Sequence, residues 1–153
     1  MGTLIHHAGF RPMKSKAKAI WQGKIKEGEG HLTTTSSALQ NVPYTFKSRF
    51  EGADGTNPEE LLGAAHAGCF SMALSMVLGE AGHTPEKIET HATVTVEPEG
   101  DGFAIKTVHL DVTGTVPGAS EADFLDAAGK AKGGCPMSKV LNAEITMDAK
   151  LAS

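Results

Sequence analysis

Hydrophobic and polar positions along the chain change period several times, and each change predicts an element. Lys16 to Lys26 alternates polar and apolar residues, which predicts a strand broken near Gly23. His31 to Leu39, rich in Thr and Ser, predicts a second strand, with Glu27-Gly28-Glu29-Gly30 as the hairpin turn between the two. Val42 to Phe50 predicts a third, with Tyr44, Phe46, Ser48 and Phe50 on one face and Arg49 pointing the opposite way. Glu51 to Thr56 is a Gly- and Asp-bearing loop. From Asn57 to Gly82 the pattern becomes helical, a run of Leu, Ala, Met and Val about six turns long. Thr56 or Asn57 is its expected N-cap, Pro58 its first residue, and Glu59 and Glu60 lie in the first turn. Asn57 and Glu60 have the spacing of a capping box, and Gly82 suits a left-handed end. Apolar residues occupy most of the helix circumference, which places it in the middle of a structure and not on a surface.

Downstream, Lys87 to Glu97 and Phe103 to Val116 alternate well, with Pro98 to Gly102 as the turn of a hairpin. Ser120 to Lys132 has an N-cap serine, acids first and lysines last, the charge order a helix dipole favours. Gly133-Gly134 is expected to break that helix, Cys135-Pro136 to start a short one ending at Leu141, and Glu144 to Leu151 to form a final strand. Strands, one long helix, a hairpin, two helices and a strand argue for an α+β fold and against a doubly wound parallel sheet.

Composition narrows the function classes. The 153 residues suit one domain, with 1–12 as a flexible extension before a domain covering 13–153. A net charge of −4 supplies no electrostatic footprint for nucleic acid. No membrane span is expected: the Asn57–Gly82 run comes closest, but Glu59, Glu60, His66, four glycines and two serines argue against it. The N-terminus lacks the apolar core of a signal peptide, so the expected compartment is the cytoplasm. There, two cysteines 66 residues apart point to redox chemistry, metal binding or inert burial sooner than to a permanent staple.

Cys69 lies in the centre of the long helix, with Leu62, Ala65, Ala73 and Met76 on its face. An apolar setting raises a thiol's pKa, and the helix dipole has faded by this depth. Bringing it from about 8.5 to below about 7 needs roughly 2 kcal/mol of preference for the thiolate, which only a nearby cation supplies. Cys135, by contrast, precedes a proline that starts a helix, where backbone N–H groups stabilise a thiolate. Local electrostatics alone make Cys135 the more acidic thiol. They do not decide which cysteine meets a substrate.

Three stretches now carry a resemblance. RFEG (Arg49 to Gly52), GTNPEELLGAAHAGCFSMAL (Gly55 to Leu74) and AKGGCPMSKVLNAEIT (Ala131 to Thr146) strongly resemble the osmotically inducible protein C subgroup of the OsmC/Ohr hydroperoxide peroxidases. The resemblance runs from about Met13 to Ser153; Gly68 stands where members more often carry Ala. It implies antiparallel β-sheets wrapped around a long central helix, in an intertwined homodimer with sites between subunits. It implies Cys69 as the peroxidatic thiol, Cys135 as the resolving thiol, Arg49 as the active-site arginine and Glu59 as the glutamate that pairs with it. The Ohr group places its arginine in the first hairpin, where this chain has none, so Arg49 favours the OsmC branch. The implied partners are a hydroperoxide and an external dithiol, without a bound cofactor. Phe70, Met72, Met76 and Met137 are candidates for an apolar wall that accepts an alkyl chain.

Helix geometry adds a constraint. Glu59 precedes Cys69 by ten residues, or about 15 Å along a straight helix. If both serve one site, Glu59 of one subunit must reach Cys69 of another. Two rival readings remain. His66, Cys69 and Cys135 offer three metal ligands but no fourth placed by the sequence. A redox-sensing or ligand-binding dimer needs the same pair of thiols and differs only in turnover.

Overall fold

The computed structural model describes residues 9–152. Of the expected flexible extension at 1–12, residues 1–8 lie outside the described part, and 9–12 are exposed without helix or strand. The described residues form two compact bodies, 9–61 and 62–152.

In the first body β1 (Ala17–Gln22), β2 (Glu29–Thr34) and β3 (Val42–Tyr44) make an antiparallel sheet in that order. The β1–β2 turn comes earlier than the sequence suggests: Gly23 takes φ +92°, the Gly28 N–H donates to the Lys24 carbonyl at 2.7 Å, and Glu29 already pairs with Gln22. Gly30 lies against the Trp21 and Tyr44 rings, where a Cβ would come within 2.4 Å of Tyr44. The third strand is shorter than expected. After Tyr44 the chain turns into a helix, α1 (Phe46–Phe50). Thr45 accepts the Ser48 N–H at 3.1 Å while the Ser48 hydroxyl accepts the Thr45 N–H at 2.9 Å. This reciprocal capping overrides the strand-like alternation, so Arg49 stands on a helix.

The long helix is α2 (Pro58–Glu80). Asn57 caps it, its Oδ1 accepting the Glu60 N–H at 2.8 Å, but Glu60 does not return the bond; its carboxylate accepts the Thr56 hydroxyl at 3.0 Å. Gly82 at φ +88° and the His83 N–H on the Leu78 carbonyl close the helix. Gly63, His66, Phe70, Leu74 and Leu78 form its buried stripe at three- and four-residue spacing. The expected burial all round is not met within the chain. Ala65, Gly68, Met72 and Met76 are exposed, Met72 to 77%. The acids that argue against a membrane span sit at the start of the helix, and Leu61 to Gly79 holds no charged side chain. By length and composition α2 is apolar enough to cross a bilayer, with a mean hydropathy of 1.7; here its buried stripe belongs to a protein core.

In the second body β4 (Lys87–Glu99) and β5 (Gly102–Thr115) form the hairpin, with only Gly100-Asp101 left as the turn, Gly100 at φ +57°. β6 (Glu144–Leu151) pairs with β5 in parallel, so the sheet is mixed and not purely antiparallel as expected. A parallel pair needs a crossover; α3 (Glu121–Gly134) and α4 (Pro136–Val140) supply it. Val108, Leu110 and Val112 alternate along β5 into a core shared with Phe70, Leu74 and Leu78 of α2 and Phe124, Ala127, Ala128 and Ala131 of α3. Each large aliphatic side chain buried there contributes about 1.5–3 kcal/mol. Gly133-Gly134 does not break α3, which ends at Cys135 (φ −60°, ψ 125°). Pro136 forces that ending, since a residue before proline is driven out of the helical region.

Candidate functional site

The end of α3 and the middle of α2 bring the two cysteines together. Their sulfurs stand 3.1 Å apart as free thiols. Cys135 is completely buried, whereas Cys69 is partly open to solvent. A disulfide places sulfurs about 2.05 Å apart, so a shift of about one ångström joins them.

The two thiols lose their protons as a pair. Burial pushes the Cys69 thiol above its ordinary value, the neighbouring Cys135 adds to this, and the Met137 N–H opposes it. Burial also pushes Cys135 up. There the Cys69 sulfur, the N–H groups of Ser138 and Met137 and the Ser138 hydroxyl outweigh it and hold Cys135 below the usual thiol range. Within one chain Cys135 is therefore the more acidic thiol, as its position before Pro136 suggests.

Arg49 and Glu59 form the second pair. Arg49 Nε donates to both carboxylate oxygens, at 3.1 and 3.2 Å, and Nη2 donates to Oε1 at 2.8 Å. The Glu59 side chain is 8% exposed and that of Arg49 37%. Among the described residues Nη1 has no partner, and the guanidinium carbon lies 5.0 Å from the Phe50 ring centre. A cavity of about 220 Å³ opens beside it, lined by Trp21, Ile25, Tyr44, Thr45, Phe46, Arg49 and Phe50. The alternation puts Tyr44, Phe46 and Phe50 on one face but gives no sign of an enclosed pocket, which the turn from β3 into α1 creates.

The expected apolar wall does not form as one surface. Phe70 is sealed in the core, on the face of α2 opposite the exposed Met72; Met76 is exposed, and Met137 packs on the core edge. Phe70 is thus a core residue. Residue spacing points inward there, because position 70 continues the buried stripe of 63, 66 and 74.

Ser138 was missed. Its Oγ lies 2.8 Å from Nε2 of the fully buried His66. The signal was available in Cys135-Pro-Met-Ser138, the spacing that turns an N3 side chain back toward its cap. Among the described residues, His109, Asp111 and Asp148 have ligand atoms within 4.8 Å of one another; His66, Cys69 and Cys135 do not make such a group. His109 itself donates or accepts at Thr146 Oγ1, 2.6 Å away, and lies between the two carboxylates.

Residues 51–150 match the family described as OsmC-like protein. The chain is 53% identical over 138 residues to Peroxiredoxin OsmC of Escherichia coli strain K12, covering 90% of this chain and 96% of that one. Organic hydroperoxide resistance protein OhrA of Bacillus subtilis strain 168 is 37% identical over 100 residues, 63% of this chain and 67% of its own. The crystal structure of the organic hydroperoxide resistance protein OhrB of Bacillus subtilis superposes with a TM-score of 0.69 at 28% identity, over 88% of this chain and 98% of that one.

Proposed function

Because the chain belongs to the OsmC-like family, we propose that it is a cysteine-based peroxidase reducing organic hydroperoxides, and inorganic ones less well, in oxidative and osmotic stress defence. One observation carries the assignment of roles: two free sulfurs 3.1 Å apart, one reachable and one sealed. Only Cys69 can meet a peroxide in solution. Its thiolate attacks one peroxide oxygen, the O–O bond breaks, and the alkoxide leaves with a proton as alcohol, leaving a sulfenic acid. The Cys135 thiolate then attacks the Cys69 sulfur, hydroxide departs as water, and an external dithiol reduces the disulfide. No bound cofactor is called for.

The raised Cys69 thiol needs a cation, and Arg49 is our assignment. With Nε and Nη2 held by Glu59, the remaining nitrogen is free to stabilise the thiolate and polarise the peroxide. Ten residues of α2 separate Glu59 from Cys69, so in our reading the Arg49–Glu59 pair serves the cysteine of a second copy. The exposed apolar face of α2, with Met72 at its centre, supports an intertwined homodimer of the 13–153 domain. The aromatic cavity beside Arg49 and the exposed Met72 and Met76 supply apolar surface for an alkyl chain. The proposed compartment is the cytoplasm.

Steady-state consumption of cumene hydroperoxide with a dithiol present tests the reading. Many turnovers by wild type and none by Cys69→Ser are expected. A wild type that stops after one equivalent would be a redox sensor instead.

A further inference from the structure

His66 takes no part in the chemistry above, yet it is completely buried one helical turn before Cys69. Its Nε2 lies 2.8 Å from Ser138 Oγ, and its Nδ1 is buried with no hydrogen-bond partner among the described residues. A position that needed only filling would hold Leu or Phe and leave no polar atom stranded.

The stranded atom identifies the tautomer. Burial holds His66 below its ordinary pKa, so the ring is neutral and carries one N–H. With the hydrogen on Nδ1, a buried donor would lack an acceptor, and Nε2 would consume the only hydroxyl hydrogen of Ser138. With it on Nε2, His66 donates to Ser138 Oγ, only a ring lone pair is left unpaired, and the hydroxyl hydrogen is free to point onward. Orphaned N–H groups are the rarer kind. Ser138 is the third residue of α4 and Cys135 its cap position, and the Ser138 hydroxyl is one of the groups that hold the Cys135 thiol down.

We propose that His66 and Ser138 are positioning residues, the His66 Nε2–H fixing the Ser138 hydroxyl so that it donates a hydrogen bond to Cys135 Sγ. This rests on the peroxidase reading for the role of Cys135. In the oxidative step the Cys135 lone pair forms the S–S bond, the Cys69 S–O bond breaks, and hydroxide takes a proton to leave as water. In the reductive step an external thiolate attacks the Cys69 sulfur, the S–S bond breaks, and Cys135 departs with the electron pair toward the waiting hydroxyl. The second thiol of the dithiol then releases Cys69. The groups that bear on the Cys135 sulfur are Cys69, the N–H groups of Met137 and Ser138 and the Ser138 hydroxyl. None is a charged side chain, so a single directed hydroxyl has measurable weight.

The test titrates Cys135 by thiolate absorbance in a Cys69→Ser background, which needs no peroxidase chemistry. Ser138→Ala and His66→Leu should each raise its pKa by about one unit. Ser138→Thr and His66→Gln should restore it, since the glutamine amide offers an N–H in place of Nε2. With Cys69 present, one equivalent of hydroperoxide followed by acid trapping gives the rate of disulfide formation. That rate should fall roughly threefold near neutral pH in Ser138→Ala, a tenfold loss of thiolate being partly offset by its greater nucleophilicity. A folded Ser138→Ala whose Cys135 titrates as before overturns the proposal, whatever the histidine variants do. A wild type that forms no disulfide overturns the peroxidase reading while leaving the titration to judge this one.

Discussion

Replacing Glu59 with Gln removes a charge from the guanidinium clamp and leaves its shape intact. Three N–H···O contacts at 2.8, 3.1 and 3.2 Å converge on this carboxylate. Gln keeps one acceptor oxygen and turns an NH₂ group toward the cation. Breaking a fully buried pair costs about 3–5 kcal/mol, whereas an exposed pair is worth at most about 1. The carboxylate is sealed but the guanidinium is 37% exposed, so solvent screens the loss to about 1–2 kcal/mol. For a chain of this size that lowers the thermal midpoint by roughly 3–6 °C. A guanidinium free to swing also loses aim, which should slow the reaction with peroxide by about ten- to a hundredfold. Arg49→Met goes further. Without the cation assigned to it, the Cys69 thiol is left at the raised pKa that burial gives it, with less thiolate at neutral pH. The thiolate is the reactive form, so the rate rises with pH and its inflection should move to the alkaline side. Thermal unfolding and the second-order rate constant for cumene hydroperoxide as a function of pH measure both effects. A Glu59→Gln protein as stable and as fast as wild type, or an Arg49→Met profile with an unshifted inflection, refutes the reasoning.

Three further outcomes follow from particular contacts. A Cβ at Gly114 would stand 2.4 Å from Phe124 Cε2, and that ring is sealed in the core; Gly114→Ala should therefore destabilise by about 1–3 kcal/mol in chemical denaturation. His66 has a depressed folded pKa through burial, so its contribution is complete above its unfolded value near 6.5 and is lost as pH falls toward the folded one. Wild type should lose up to about 1.4 kcal/mol per pH unit in that window relative to His66→Gln, measured by denaturation at stepped pH. Met72→Glu puts a charge on the exposed apolar face of α2, and light scattering should show the proposed dimer giving way to monomer while the helix content is retained.

Much of this arrangement is legible from residue order, and the failures share a cause. Asn57-Pro58-Glu59 and Gly82 mark the ends of α2 because caps and a proline act locally. The alternation of Val108, Leu110 and Val112 marks β5 because one face is buried. Alternation misled at Phe46–Phe50, where two hydroxyl bonds between Thr45 and Ser48 decide the conformation. Gly133-Gly134 misled because the helix yields at the residue before a proline and not at the glycines. The parallel seat of β6 is a matter of crossover, which no strand announces by itself. At the site, the sulfur pair, the arginine and its glutamate were readable through the three family-like stretches. The aromatic cavity and the His66–Ser138 link were not, since each depends on elements brought together from distant parts of the chain.

The most direct test of the account is the mass of the intact protein after one equivalent of an organic hydroperoxide, without reductant. Wild type should lose two hydrogens, Cys135→Ser should gain a single oxygen at Cys69, and Cys69→Ser should keep its mass. Oxygen appearing on Cys135 in the Cys69→Ser protein, with wild type forming no Cys69–Cys135 bond, would contradict it.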